Sequence, residues 1–450
     1  MVISKISEKD GKKYIEYLGK PHLFYGVQAR MDEAEDVDPS DTALEKNFEF
    51  ARKLGFSDIS VPLRWRKFEK SDGIYDCSFL KKYICWADKY GLALQILWFG
   101  SNVCGGQKSI PEFIRNDAEK YPHTDGGEFI DLKNKAFFDK EKAAFLKMLE
   151  CITENDKNRR TYVIQIENEP DYGAGWQGQY RECLGYINEL GKLVKNSEYS
   201  VVTRVNITAA DVLFENGVPE DICALDGIDI VGTDLYVKEE ELYNKWLEKL
   251  QTGGLSANLP HIAEGGGQLF NLTHIIANSF TKGAGYLVYE IRTVRENDYD
   301  FGILRLNPYK WEYRDGTKEV QYQWTKGVTV RENKTENIIE FNSAVNRLAP
   351  LLATARAGSV DLLECGRETN IGNINMKLLC GGFCLTVSDD DGAIYAFCGD
   401  KPAEMVFDRE YSVQDGAFEG EKWIEHSRIK ARKAVFQTGQ AYKITAEKRI

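Results

Sequence analysis

From about residue 22 to residue 292, eight short apolar, β-branched runs alternate with longer helical patterns, and no other feature constrains the fold as much. The runs are His22–Gln28, Asp58–Leu63, Ala93–Phe99, Tyr162–Ile166, Val201–Ile207, Ile228–Leu235, His261–Ala263 and Gly285–Ile291. Helical patterns over Ala43–Leu54, Cys77–Tyr90, Ala136–Glu154, Gly178–Val194, Glu239–Leu250 and Leu272–Thr281 separate most of them. Eight βα-like units at this spacing predict a (β/α)8 TIM barrel with its helices outside. A doubly wound open sheet would alternate in the same way, but no GxGxxG follows any of the runs. The helical segment Glu336–Arg356 is expected to close a barrel domain over residues 1–356. Residues 357–450 then read as short strands (Ile374–Leu379, Phe383–Val387, Ala393–Phe397, Ala441–Ala446) with turns such as DDDG at 389–392. They predict a small all-β, sandwich-like accessory domain.

At 450 residues the chain is long enough for a large core plus this second domain. It has no apolar run near the eighteen or so residues of a membrane span. The N-terminal stretch MVISKISEKDGKKYIEYLG carries scattered charges and no secretory h-region, so a cytoplasmic location is expected. A net charge of −12 argues against nucleic-acid or anionic-membrane partners. The ten cysteines show no CxxC pair and read as buried small hydrophobes rather than a disulfide framework. The five histidines form no HxH or HxxxH pair, so no metal site is expected. A homo-oligomer is compatible with the sequence but not specified by it.

Active sites of such barrels lie at the C-terminal ends of the strands. Three predicted strand ends carry carboxylates in unusual settings. TYVIQIENEPDYG (161–173) runs from an apolar strand into Glu167, Asn168, Glu169 and Pro170; LPHIAEGGG (259–267) ends at Glu264; and GYLVYEIR (285–292) holds Glu290. Cleavage of a glycosidic bond with retention needs two carboxyls about 5–5.5 Å apart, one to attack the anomeric carbon and one to move the proton. Strands four and seven can bring such a pair together across a barrel, although the sequence does not supply the distance.

IENEP (166–170) followed by a lone Glu at the seventh strand end resembles the clan A glycoside hydrolases. FARKLGFSDISVPLRWRKFEKSDGIYD (50–76) is similar, more closely, to the family 35 and family 42 β-galactosidases and their relatives. LALQILWFGSN (92–102) and FNSAVNRLAPLLATA (341–355) look like the same group, and the likeness covers roughly 22–356. It implies a retaining, exo-acting β-glycosidase that needs no cofactor and takes a carbohydrate substrate, most readily a terminal β-galactoside. Residue by residue, the resemblance makes Glu169 the acid/base and Glu264 the nucleophile. Asn168 becomes the residue that hydrogen-bonds the sugar 2-hydroxyl, and Tyr236 the one that holds the nucleophile carboxylate. Many clan members carry an Arg inside strand two where this chain has Ser60, which leaves Arg64 or Arg30 to supply that charge. Trp311 is the candidate for the Trp that often follows the last strand.

Each candidate also has a plainer role. Glu169 could cap a helix after Pro170, and Glu264 could be a solvated loop residue whose glycines cradle a phosphate. Strand alternation puts Glu167 on the same face as Glu169, where an ion pair with an Arg inside the barrel is its expected place. Tyr236 fits core and site equally, and Glu290 is expected to pair with Arg292. Trp65, Trp98 and Trp311 serve as sugar platforms or as packing. The same two carboxylates would serve a β-mannosidase, β-glucosidase or β-xylosidase, and a non-catalytic sugar-binding barrel is the rival from outside enzymes.

Overall fold

The computed structural model of the protein describes residues 2–446, apart from 105, 126, 128, 173–177, 209–215, 238, 270, 294–300, 308–309, 314–318, 322–328, 332–333 and 400. The side chains at 102–103 and 306–333 lie outside that description as well.

Eight parallel strands close into a barrel: β1 (Tyr25–Gln28), β2 (Asp58–Arg64), β3 (Ala93–Val103), β4 (Thr161–Asn168), β5 (Val202–Ile207), β6 (Ile230–Asp234), β7 (His261–Gly266) and β8 (Gly285–Tyr289). Each pairs with the next, and β8 returns to β1 through Tyr286–Tyr25, Leu287–Gly26 and Val288–Val27. Side chains filling the barrel and helices covering its outside bury these strands on both faces, which is why they read as apolar runs. The helices carry their own start and stop signals. Ser40 Oγ accepts from the Ala43 N–H to begin Asp41–Lys53, and Asn134 caps Lys135–Asn155 in the same way. Gly91, at φ 67°, ends Ser78–Tyr90 in the left-handed conformation that a side chain would resist.

The barrel's N-terminal end differs from the expectation. The predicted run His22–Gln28 divides between β1 and a three-stranded antiparallel sheet, Ser4–Lys9, Lys12–Tyr17 and Lys20–His22. Its two tight turns use Asp10-Gly11 and Leu18-Gly19, all four residues with positive φ, the geometry that matches the twist of a hairpin. Ser4 ties the sheet to the barrel: its Oγ donates to the Tyr162 carbonyl and accepts from the Val202 N–H.

After the helix Thr335–Leu352 the chain builds an all-β unit as one eight-stranded antiparallel sheet from Val360–Glu364 to Ala441–Thr445. Leu363, Ile374, Met376, Leu378, Met405 and Phe436 form its own core. Leu362, Leu385, Val387 and Phe397 on the other side join the core that runs through the barrel and its helices. Thr281 Oγ1 donates to the Val360 carbonyl at 2.6 Å across this junction. Among the described residues no helix is long and apolar enough to cross a membrane. All ten cysteines are free, but only Cys151, Cys183, Cys384 and Cys398 are buried, so the reading of the thiols as buried hydrophobes holds for a minority.

Candidate active site

The C-terminal end of β4 is not a regular strand. Its register against β5 shifts between Arg204 and Asn206, and Glu167 (φ 60°) and Glu169 (φ 49°) both adopt left-handed backbone. Such conformations are costly away from glycine and persist where surrounding contacts impose them. Here the Glu169 N–H donates to the Asn206 carbonyl at 2.9 Å, and Asp171 accepts from the Thr208 N–H at 3.2 Å, fixing the corner to the end of β5. The bulge breaks the alternation that would have put Glu167 and Glu169 on one face. Gln165 and Asn168 point into the barrel and share a 2.9 Å hydrogen bond. Glu167 turns instead toward the helix Lys135–Asn155, accepts from the Ser101 N–H at 3.0 Å and hydrogen-bonds Glu141. Two buried carboxyls can bond only through a shared proton, and burial accordingly raises Glu141 above the usual carboxylate range. Glu167 therefore braces the strand from outside and is not the interior ion-pair residue expected from alternation.

Three carboxyls meet at the barrel mouth. Glu169 ends β4, Asp234 ends β6 and Glu264 lies in β7, with Asp234 and Glu264 directly paired in register. The Asp234 carboxyl lies within side-chain hydrogen-bonding reach of Glu169. Tyr236 donates its hydroxyl to Glu264 Oε2 at 2.6 Å, so the tyrosine belongs to the site rather than the core. Burial first, and then the Glu169 charge, push Glu264 up to about 7, against the opposing pull of Tyr236, Arg30 and Arg204.

The glycines after Glu264 have a packing reason. A Cβ on Gly265 would fall 2.0 Å from the Tyr286 hydroxyl, and one on Gly267 would fall 2.9 Å from the Phe301 carbonyl. The run lets neighbouring groups approach the strand end closely, which accounts for it without a phosphate.

Asn168 stands beside Glu169, buried, its Oδ1 accepting from Gln165 and Asn206 and its Nδ2 donating to Cys104 Sγ at 3.2 Å. Arg30 reaches the site from the end of β1. It donates to the Tyr289 hydroxyl, pairs with Asp32 at 3.1 Å and exerts its charge on Glu264. Arg64 pairs with Asp32 at 2.6 Å and donates to Ser109, so of the two candidates for the missing strand-two charge it is Arg30 that acts on Glu264. Although burial opposes it, the two guanidiniums hold Asp32 at about 2. A second cation, Arg204 of β5, was not legible in advance. It is wholly buried inside the barrel, donating to Gln95 at 3.1 Å and to Gln165 at 2.6 Å.

Two of the aromatic candidates are wholly buried. Trp65 is 0% exposed, donates Nε1 to Glu69 at 2.8 Å and packs on Trp98 and Phe137. It is core, and its fit between the β2 end and a helix is the reason. Trp98 is core for the same reason, with its Nε1 donating to Glu141 at 3.1 Å. Trp311 lies on the short strand Lys310–Tyr313, and its side chain falls outside the described residues. Glu290 is buried and raised to about 8 by that burial, with both Arg30 and Arg292 acting on it. Arg292 itself donates to Asn47, and Arg30 acts on Glu290 more strongly than the expected partner Arg292 does.

Sequence reading missed Asp234 and Cys104. Asp234 carried a usable signal: in GTDLY it lies two residues before Tyr236, the spacing that puts both on one face. Cys104 follows the end of β3 at φ 47° and hydrogen-bonds Glu169 as well as Asn168, which no spacing rule foretells. Among the described residues no group of three or more His, Cys, Asp or Glu side chains is arranged to hold a metal ion.

A family model described as a domain of unknown function (DUF4978) matches residues 184–343. No curated protein matches the chain. Among solved structures, an exo-β-1,4-mannosidase from Opitutaceae bacterium strain TAV5 superposes with a TM-score of 0.54 at 12% identity, covering 77% of this chain and 63% of that one. The β-galactosidase of the psychrophilic Marinomonas ef1 gives 0.51 at 10% identity, with 75% and 62% covered. The cold-adapted β-galactosidase of Rahnella sp. R3 gives 0.50 at 10%, with 77% and 58% covered. The chain thus spans about three fifths of the length of the structures it matches. At these identities the likeness is one of architecture: the chain shares with these structures a closed barrel of eight parallel strands, which here is followed by a β domain.

Proposed function

We propose that the protein is a retaining, exo-acting β-glycosidase in which Glu264 attacks the anomeric carbon and Glu169 handles the proton. The observation that carries this reading is the meeting of Glu169 and Glu264 at the ends of β4 and β7, with Asn168 beside the first and Tyr236 bonded to the second. Asp234 is the register partner of Glu264 and lies within reach of Glu169, and the Glu169 charge acts on Glu264. A double displacement requires such a pair to stand roughly 5–5.5 Å apart.

The roles follow from the surroundings. Tyr236 occupies Glu264 Oε2 and leaves Oε1 for attack, while Arg30 and Arg204 favour the ionised form. Attack forms a covalent glycosyl-enzyme as Glu169 protonates the departing oxygen. Glu169 then takes a proton from water, which releases the sugar with its β configuration. Asn168 is placed to bond the 2-hydroxyl, and Arg30 to position the sugar. In the same reading residues 1–356 are the catalytic unit and 357–450 an accessory domain.

The preferred sugar is a terminal β-galactoside, on the strength of the Trp65–Asp76 segment and of β-galactosidases among the similar folds. A β-mannoside is the second reading, favoured by the mannosidase among those folds. A panel of nitrophenyl β-galactoside, β-mannoside, β-glucoside and β-xyloside decides between them. The galactoside is expected to give the highest kcat/KM, because a pocket built for one hydroxyl leaves polar groups unpaired with its epimer. A higher value for another sugar overturns the sugar assignment, and no turnover of any overturns the function.

A further inference from the structure

We propose that Asp234 and Glu169 hold one proton between them, making Asp234 the positioning residue that sets the protonation of the acid/base. The inference rests on the reading of Glu169 as that acid/base. Its geometric basis is the burial of Asp234 beside its register partner Glu264 with the Glu169 carboxyl within side-chain hydrogen-bonding reach, a contact that two carboxyls can make only with a proton on one of them. Asp234 is 6% exposed, and among the described residues no donor reaches its Oδ1. A buried carboxylate oxygen without a donor is costly when charged and tolerable when neutral.

The groups facing Asp234 support the same conclusion. Glu169 approaches from β4 and Glu264 from β7, both of like charge. From β5, Asn206 hydrogen-bonds it and Arg204 lies within electrostatic reach. Tyr236, two residues on, is directed to Glu264. Burial first, then Glu264 and Glu169, push the Asp234 carboxyl well above its usual range.

A shared proton also balances the chemistry. Before reaction Glu264 is ionised and the Asp234–Glu169 pair carries one negative charge, two charges in all. When Glu264 bonds to the sugar its charge disappears, and the pair, having given its proton to the leaving oxygen, carries two. The three carboxyls keep the same total charge through the step. Water then returns the proton to Glu169, and Glu264 regains its charge as the sugar leaves. No second proton source is needed, and the field over the site changes little between resting enzyme and intermediate.

The test has two readouts. The first is the pH profile of kcat/KM for Asp234→Asn on a nitrophenyl glycoside the wild type turns over. Losing the pair's last proton puts two anions side by side, which raises the pKa of that loss. An amide at 234 removes one anion, so the basic limb of the profile should move down by at least about one pH unit. A merely structural residue would lower the whole profile by one factor and leave the limb in place, and that result overturns the proposal. The second readout is infrared difference spectroscopy of protein labelled with 13C at the aspartate side-chain carboxyl, which needs no activity. A neutral aspartic acid band is expected at pH 7 in the wild type and should vanish in Asp234→Asn. It should also vanish in Glu169→Gln, where the new amide can donate to Asp234 and the neighbouring anion is gone. Absence of the band in the wild type, or its persistence in both variants, overturns the shared proton. A band that behaves as expected in a protein inactive on every glycoside would sink the proposed function and leave the shared proton standing.

Discussion

Glu264→Ala is expected to lower kcat on every β-glycoside by about 100,000-fold, the scale seen when the nucleophile of a two-step enzyme is removed. Among the described residues nothing else at the mouth can replace it. Asp234 is held by Glu169 and Asn206, and the Tyr236 hydroxyl is directed at the vacated position. The variant should fold, and at alkaline pH it should be the more heat-stable protein. The folded-state pKa of Glu264 lies above its unfolded value, so the ionised carboxylate costs stability above that pKa. The penalty fades as pH falls toward the unfolded value, and the gain from removing it should fade with it. Kinetics on nitrophenyl glycosides, with melting curves at pH 5 and pH 8, check both statements. Activity within tenfold of wild type would mean that the attacking group lies elsewhere.

Glu169→Ala should separate substrates by their leaving groups. A dinitrophenolate hardly needs a proton to depart, whereas an alkyl aglycone does, so losses of about 100–10,000-fold should appear on the second and shrink on the first. Added azide then tests the roles by stereochemistry. In Glu169→Ala the glycosyl-enzyme still forms on Glu264, and azide attacks from the opposite face to give the β-azide. In Glu264→Ala azide fills the small space beneath the sugar and gives the α-azide. Product analysis by NMR checks this, and reversed products would exchange the two assignments. Glu167→Gln is the control. Its carboxyl faces Ser101 and Glu141 behind the strand, so it should keep most of the activity while shifting the melting temperature.

The barrel was legible because its strands are buried on both faces and leave an apolar signature with helical patterns between. The N-terminal sheet was not, although Asp10-Gly11 is a hairpin signal, because Lys12–Tyr17 mixes charge with apolar residues on a strand only partly covered. The long strand Lys422–Phe436 was hidden for a stronger reason: it pairs along one edge only and is exposed on both sides over most of its length. At the site, Glu169, Glu264, Asn168 and Tyr236 could be named from short motifs, since their strand ends are recognisable. Glu167 was misplaced because a bulge changes which side a residue faces without changing its letter. Trp65 was offered as a sugar platform because a motif carries no information about how deeply a ring is packed. Arg204 and Cys104 reach the site through pairings between strands distant in sequence, which no local pattern records.

The register shifts described at the barrel mouth have a consequence for how the molecule opens. The β2–β3 ladder runs without interruption from Asp58–Ala93 to Arg64–Phe99. The ladders of β4 with β3 and β5, and of β7 with β6 and β8, are each broken near their C-terminal ends. A broken ladder lets a few amides open without disturbing the rest, so the half of the barrel bearing the carboxyls should exchange its amide hydrogens through small local openings. The β2–β3 half should exchange only when the whole domain unfolds. Hydrogen–deuterium exchange should therefore show residues 164–168 and 262–266 exchanging well ahead of 58–64, and equal protection would mean that the bulges are as rigid as the ladder opposite. Such an arrangement confines flexibility to the strand ends that must accommodate a sugar, while the opposite wall holds the barrel closed.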